Sequence, residues 1–426
     1  MRRAIFTIVI IPIIILSGCG KQLGPSQKSL SLLKQGQPES VGMSSERLAR
    51  IDTVMNQYIE NGWIPGAVAL IARHSKIVYH KNFGLKDIEE NKPLQKDDIF
   101  RIASMTKAIT SVAMMTLYEE GHFLLDDPVY KYIPEFKDPV VLLALNEKDT
   151  TFTSKPAKHQ ITIRHLLTHT SGIGYSFSHE KLKLLYQKTG IPDGFVTTNA
   201  VLGDIIKLLA RMPLLHEPGE KWTYGLNSDV LGYLIEVISG MTFEEFLQQY
   251  IFDPLEMTDT HFFLPDVKKD RLVSIYAEDD EGIKKSMVKE YNYPVEGGKS
   301  YFSGGAGLCS TAEDYAKFLQ MLLNGGSYNG VQFLSRKTID LMTMNQIGDL
   351  VDKYEFGLGF GITDEEGAKK ILSSVGNYWW GGYFSTSFWI DPKEDLIAVL
   401  MLQMFPTKHG EIHQKFQVLT YQSIID

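Results

Sequence analysis

Two cysteines are all that the 426 residues carry, Cys19 and Cys309, and only the second falls in the part of the sequence that reads as folded. A disulfide within the fold is thereby excluded, so a packed core must hold it. No apolar run reaches the roughly twenty residues that a membrane-spanning helix needs; the longest, Ala4 to Leu16, stops short of it. Positive charge is in deficit, since 43 Lys and Arg face 51 Asp and Glu for a formal net charge of -8. With no basic stripe to offset that balance, nucleic acid is not an expected partner. Metal and cofactor signatures are missing too. His165 and His169 stand four apart, but Leu166 occupies the place of the glutamate in a His-Glu-x-x-His site. Gly357-x-Gly359-x-Gly361 has no helix after it, which argues against dinucleotide binding. We therefore expect no metal and no cofactor.

What is present is an ordinary globular composition, 44% hydrophobic and 22% charged, long enough to bury a large core. The first residues stand apart from it. Met1-Arg2-Arg3 is basic, Ala4 to Leu16 is apolar, and Leu16-Ser17-Gly18-Cys19 follows, the order of a secretory signal. The ending resembles a bacterial lipobox, which implies a signal peptide over residues 1–18 and lipidation of Cys19. An exported lipoprotein of the cell envelope, held to a membrane through Cys19, is the expected localisation. Residues 19–39, rich in Gln, Ser, Lys, Gly and Pro, read as a tether.

From about residue 40 to 426 the pattern is that of one unit. Ser44 or Ser45 caps a helix carrying Leu48, Ile51, Met55 and Tyr58. Ala67 to Ala72 and Ile77 to Phe83 flank a turn and predict a hairpin. The middle is mostly helical: Ala108 to Tyr118, a short helix from Ile161 to His169, a capping box at Thr242 to Glu245, and Thr311 with Asp314 opening a helix that Gly325-Gly326 stops. Phe356 to Ile362, Tyr383 to Ile390 and Leu396 to Gln403 are β-type, and a helix from about Glu411 to Ile424 closes the chain. Two N-terminal strands alone are marginal, so the strands of both ends must share a sheet. The expected fold is α+β: a sheet from about 40–103 and 353–426, a helical insertion over about 104–352, and a cleft between them. Asp126-Asp127 reads as turn structure and Cys309 as a buried small side chain. Tyr118, Tyr175 and Phe302 are candidates for the cleft wall.

Ser104-Met105-Thr106-Lys107 opens the helix of Ala108 to Tyr118. Positions i and i+3 nearly stack, so an amine lies beside a hydroxyl. A serine hydroxyl needs a base before it attacks, and an amine serves only when it can lose its own proton. A helix N-terminus adds N–H groups for a developing oxyanion. Ser-x-x-Lys alone arises often by chance, but it is joined by Trp222-Thr223-Tyr224-Gly225-Leu226-Asn227, by His165 to Gly172, by Gly304 to Ser310, and by Asn377-Tyr378-Trp379-Trp380-Gly381-Gly382-Tyr383.

In order and spacing these motifs resemble the serine β-lactamase and penicillin-binding protein superfamily, with the nearest likeness to class C-like enzymes and family VIII carboxylesterases. The resemblance runs from near Ser40 to the C-terminus. It implies that Ser104 is the acylated nucleophile, that Lys107 is its proton partner, and that Tyr224 shares the base role. It places Trp380-Gly381-Gly382 on the strand edge beside the nucleophile, with the backbone N–H groups of Ser104 and Tyr383 as the oxyanion hole. Two departures bear on substrate. Leu226 and Asn227, which with Trp380, Gly381 and Gly382 are the substrate-binding residues the resemblance implies, replace the asparagine of Tyr-x-Asn or shift it by one, and Trp380 stands where penicillin-recognising enzymes carry a cation. Losing one charge-assisted hydrogen bond of about 1.5 to 3 kcal/mol weakens carboxylate binding roughly ten-fold to over a hundred-fold. The expected function is a carboxylesterase on small neutral esters with weak or no β-lactamase activity. The alternatives are a D-amino-acid-specific peptidase, a β-lactamase, an acyltransferase, or a non-hydrolytic binding lipoprotein of the same fold. Nothing in the sequence sets the oligomeric state.

Overall fold

The computed structural model describes residues 32–426. The signal segment, Cys19 and most of the tether lie outside the described residues. The end of the tether, Lys34–Gln35 (β1), runs parallel to Lys76–Ile77 at a sheet edge. This pairing joins the last residues before 40 to the fold.

Five helices frame the site: α1 (Ser45–Glu60), α2 (Thr106–Glu119), α3 (Asn227–Ser239), α4 (Ala312–Leu323) and α5 (Ile412–Tyr421). Ser44 caps α1 by accepting from the Arg47 N–H at 3.2 Å, and Leu48, Ile51, Met55 and Tyr58 bury one face at helical spacing. Strands β2 (Gly66–Arg73) and β3 (Lys76–Asp87) form the expected hairpin. At the other end of the chain lie β4 (Glu355–Phe356), β5 (Gly361–Ile362), β6 (Tyr378–Gly382), β7 (Thr386–Asp391) and β8 (Leu396–Met401). All share one sheet in the order β1-β3-β2-β8-β7-β6-β5-β4, with Lys92–Pro93 added beside β3. The two ends of the chain meet where Leu396 to Met401 pair antiparallel with Arg73 to Val68.

Both central strands are buried along their whole length, which is why β8 reads as an unbroken apolar run. Alternate residues serve opposite cores. Val68, Leu70, Ile397 and Val399 pack under α2 and α4, while Ala69, Ile71, Ala398 and Leu400 pack under α1 and α5. The chain is therefore α+β, as the sequence implies.

The middle differs from the expectation in two ways. It contains three hairpins, Val140–Leu145 with Phe152–Pro156, Tyr276–Asp279 with Gly282–Lys285, and the short Ser327–Tyr328 with Val331–Gln332. Helix α4, counted with the insertion, packs directly on β2 and β8 and so belongs to the sheet's cover. The strand expected over Phe356 to Ile362 is two short strands folded on each other, because Gly359 turns the backbone at φ +97°. Tyr378–Gly382 is a strand in its own right, and the stretch from Tyr383 begins as a turn. Ser385 takes φ 60° there and its N–H donates to the Gly382 carbonyl at 3.1 Å. No glycine or proline after Gly382 marks that reversal.

Candidate active site

The segment entering α2 is held tightly before it reaches Ser104. Phe100–Arg101 pair with Cys309–Ser310, and the Ile102 N–H donates to the Leu308 carbonyl at 3.0 Å. Ala103 then takes φ 43°, a left-handed conformation costing a residue with a Cβ roughly 1–2 kcal/mol. A short 3-10 turn, Ala103–Met105, follows and runs into α2. Contacts on the far side fix it: the Tyr315 hydroxyl donates to the Met105 carbonyl at 2.9 Å, and the Leu308 N–H to Thr106 Oγ1 at 3.1 Å. Ser104 is thereby set in the lining of the cavity.

Lys107 is 1% exposed. Its Nζ has three oxygen partners, the Gly305 carbonyl at 2.7 Å, Tyr175 Oη at 3.0 Å and Ser104 Oγ at 3.3 Å, of which the two hydroxyls can either accept from it or donate to it. Tyr224 stands differently from the expectation. Lys107 Nζ lies over its ring, 4.6 Å from the centroid, and its hydroxyl accepts from Trp380 Nε1 at 3.4 Å. The phenol hydrogen-bonded to the lysine is that of Tyr175, which sequence reasoning offered only as cleft wall. Burial, followed by the nearby Asp229 carboxylate, holds the Tyr175 phenol well above its ordinary range. Tyr118 and Phe302 lie elsewhere, packing on Phe123 and on Phe262 and Phe263.

Behind this cluster sits Asp229 on α3, fully buried. Its Oδ1 accepts from Ser303 Oγ at 2.6 Å and from Tyr301 Oη at 3.5 Å. Desolvation raises its carboxyl above the usual range, against the Ser303 hydrogen bond and the Lys107 charge. Gly305 is the junction. A methyl there would fall 2.5 Å from Asp229 Oδ2 and 2.9 Å from Tyr175 Oη.

Leu226 and Asn227 were expected to meet substrate, and the structure corrects this. Both are 0% exposed at the start of α3. Asn227 Nδ2 donates to His169 Nδ1 at 2.9 Å and its Oδ1 accepts from Ser171 Oγ at 2.5 Å. The asparagine therefore braces the loop that carries Tyr175 and is spent before it reaches the cleft. Burial, then the Lys107 charge, holds His169 well below its ordinary range, consistent with an acceptor Nδ1. His165 Nδ1 accepts from the Thr162 N–H at 3.2 Å in a capping box, so neither histidine is placed as a metal ligand. Cys309 is buried and its thiol is pushed up to about 12 by desolvation, an inert setting.

Strand β6 brings Trp380, Gly381 and Gly382 to the cavity wall. A Cβ at Gly382 would sit 2.4 Å from the Ile102 carbonyl and 2.1 Å from Thr386 Oγ1, so only glycine lets this edge lie against the nucleophile turn. The cavity holds about 540 Å³ and is walled mainly by aromatic rings, among them Tyr175, Phe195, Tyr224, Trp379 and Tyr383. Asp193 also lines it, from a loop whose sequence gave no catalytic signal. Burial holds the Asp193 carboxyl above its ordinary range, opposed by the Ser176 hydroxyl and N–H.

A buried amine on a serine in the lining of an aromatic cavity is the arrangement of a serine hydrolase. The chain belongs to the Beta-lactamase family, whose sequence model matches residues 51–422. It is 30% identical to Esterase EstB of Burkholderia gladioli over 372 residues, 83% of this chain and 89% of that one. The solved structure of EstCE1, described as a hydrolase with promiscuous acyltransferase activity, superposes with a TM-score of 0.76 at 26% identity, covering 88% of this chain and 99% of the other. Unliganded simvastatin synthase LovD of Aspergillus terreus gives 0.76 at 25% identity, over 89% and 98%.

Proposed function

We propose that the protein is a carboxylesterase for neutral esters, with Ser104 as the acylated nucleophile. The observation that carries this is the Ser104–Lys107 pair under a cavity with no lysine or arginine among its lining residues. Such a cavity offers a carboxylate-bearing substrate no cation, and an uncharged ester pays no penalty for that. Esterase EstB and the lovastatin esterase of Penicillium rubens, 28% identical over 395 residues, support the same class of reaction.

In the proposed cycle Lys107 reacts as the free amine: Ser104 Oγ attacks the ester carbonyl carbon, and its proton passes to the Lys107 Nζ lone pair with Tyr175 and Tyr224 beside it. The N–H groups of Ser104 and Tyr383 receive the oxyanion. Collapse breaks the bond to the leaving alkoxide, which takes that proton and departs as alcohol. Water then attacks the acyl-serine, returning its proton to Ser104 and releasing the acid. When an alcohol takes the place of that water the product is a new ester, which is the second reading, an acyltransferase; the EstCE1 likeness favours keeping it.

The domain from about residue 32 should hydrolyse p-nitrophenyl butyrate faster than it opens nitrocefin or cleaves D-Ala-D-Ala peptides. Ser104→Ala should lower ester turnover by more than about a thousand-fold, and a fluorophosphonate should label Ser104. Equal rates in the two proteins would sink the mechanism, and a preference for nitrocefin would sink the substrate class. We also propose that Cys19 is lipidated and anchors the enzyme in the cell envelope; a mature N-terminus without a diacylglyceryl cysteine, read by mass spectrometry, would refute it.

A further inference from the structure

We propose that the cavity over Ser104 contains a subsite for an alkylammonium group, formed by Asp193 with the rings of Phe177, Phe195, Tyr291 and Tyr383. This rests on the esterase reading and changes its substrate class from neutral esters to esters that carry a trimethylammonium or similar cation away from the reacting carbonyl.

Asp193 is the one acidic or basic side chain among the residues that line the cavity. The Ser176 N–H donates to its Oδ1 at 2.8 Å and the Ser176 hydroxyl to its Oδ2, so the carboxylate is oriented by neutral donors, and no ion pair is found for it among the described residues. A negative charge held in an aromatic cavity, with no cation beside it, selects a positive ligand. The walls suit the same ligand. Phe195 lies 5.8 Å from Tyr383 and 5.9 Å from Tyr291, both edge-on, and Phe177 stacks on Tyr175 at 4.9 Å while remaining 62% exposed. Ring faces attract a cation through their quadrupole, most strongly where water is excluded.

The other end of the site already uses this chemistry. Lys107 Nζ sits 4.6 Å from the Tyr224 ring centroid and 5.3 Å from that of Tyr175. Once Lys107 has taken the serine proton that end carries a positive charge, so a ligand cation is disfavoured there and drawn toward Asp193, which leaves the ester carbonyl over Ser104. The charge that draws an ammonium repels a carboxylate, which agrees with a cavity that has no lysine or arginine in its lining.

The test compares two esters of one acid, the choline ester and the 3,3-dimethylbutyl ester, in which carbon replaces the ammonium nitrogen. The wild type should favour the choline ester in kcat/KM by about ten-fold or more. Asp193→Asn should bring that ratio close to one, and Asp193→Glu should restore part of it. A wild-type ratio near one, or the same ratio in Asp193→Asn, would overturn the subsite. If neither these esters nor p-nitrophenyl butyrate is turned over, the esterase reading fails by itself. The subsite is then read by tryptophan fluorescence, since Trp379 and Trp380 wall the cavity. Phenyltrimethylammonium should quench the wild type at lower concentration than Asp193→Asn, and equal titrations would reject it.

Discussion

Lys107 has three oxygen partners and each comes from a different element, so the amine is placed by the loops around it as much as by α2. The Gly305 carbonyl and Tyr175 Oη are the shorter contacts, 2.7 and 3.0 Å against 3.3 Å to Ser104 Oγ. A hydrogen bond to a charged donor is worth about 1.5 to 3 kcal/mol. Tyr175→Phe should therefore lower kcat for p-nitrophenyl butyrate by roughly ten- to a hundred-fold. Tyr224→Phe removes only a long contact with Trp380 and keeps the ring beneath the amine, so its loss should be the smaller of the two. The opposite order would return the base role to Tyr224. Gly305→Ala is the sharper perturbation: its methyl meets Asp229 Oδ2 at 2.5 Å and Tyr175 Oη at 2.9 Å. Overpacking of that kind costs roughly 1–3 kcal/mol. Melting temperature and kcat should fall together, and an unchanged kcat would show that Tyr175 need not hold its place.

At the scale of elements, the cleft exists because β6 lies against the turn before α2. Gly382→Ala puts a methyl 2.4 Å from the Ile102 carbonyl, a backbone atom that cannot swing aside. We expect at least a ten-fold loss of kcat/KM, with the KM for p-nitrophenyl butyrate rising because the strand edge that lines the cavity is pushed away; Gly381→Ala, whose methyl meets only the Thr386 carbonyl at 3.3 Å, should be far milder. Equal effects would disprove the close approach. Much of this arrangement was legible beforehand. The hairpin of β2 and β3, the capped helices and the apolar run of β8 follow from period, cap and turn residues. Less legible were features set by tertiary contact. The reversal at Ser385 carries no glycine or proline there, Asn227 turned inward to His169 because the Tyr175 loop needed a brace, and Tyr175 met Lys107 across 68 residues of sequence. Asp193 had no signal at all, since a lone carboxylate in a loop acquires meaning only from the rings around it.

The whole molecule buries several histidines as neutral imidazoles, and this fixes the sign of its response to acid. His413 is held at about 4 by desolvation, as are His165 and His261, the last also beside Lys268. Their unfolded counterparts titrate near 6.5. Above pH 6.5 both states are neutral and contribute no slope. Between about 6.5 and 4 the unfolded chain binds the extra protons, so stability is lost as the pH falls through that window. The buried carboxylates of Asp229 and Asp314 oppose this, because their raised values favour the folded state as acid protonates them. His413 isolates the histidine contribution: it lies in the first turn of α5, facing β7, where its Nδ1 and Ser387 Oγ stand 2.8 Å apart. At pH 5 its share amounts to a loss on the order of 2 kcal/mol relative to pH 7.5. His413→Gln keeps a polar partner for Ser387 and removes the titration. It should start less stable at pH 7.5 yet lose less melting temperature on going to pH 5 than the wild type. Parallel melting curves across that interval would mean that His413 gains its proton without cost, and the acid sensitivity would then have to arise at His165, His261 or the carboxylates.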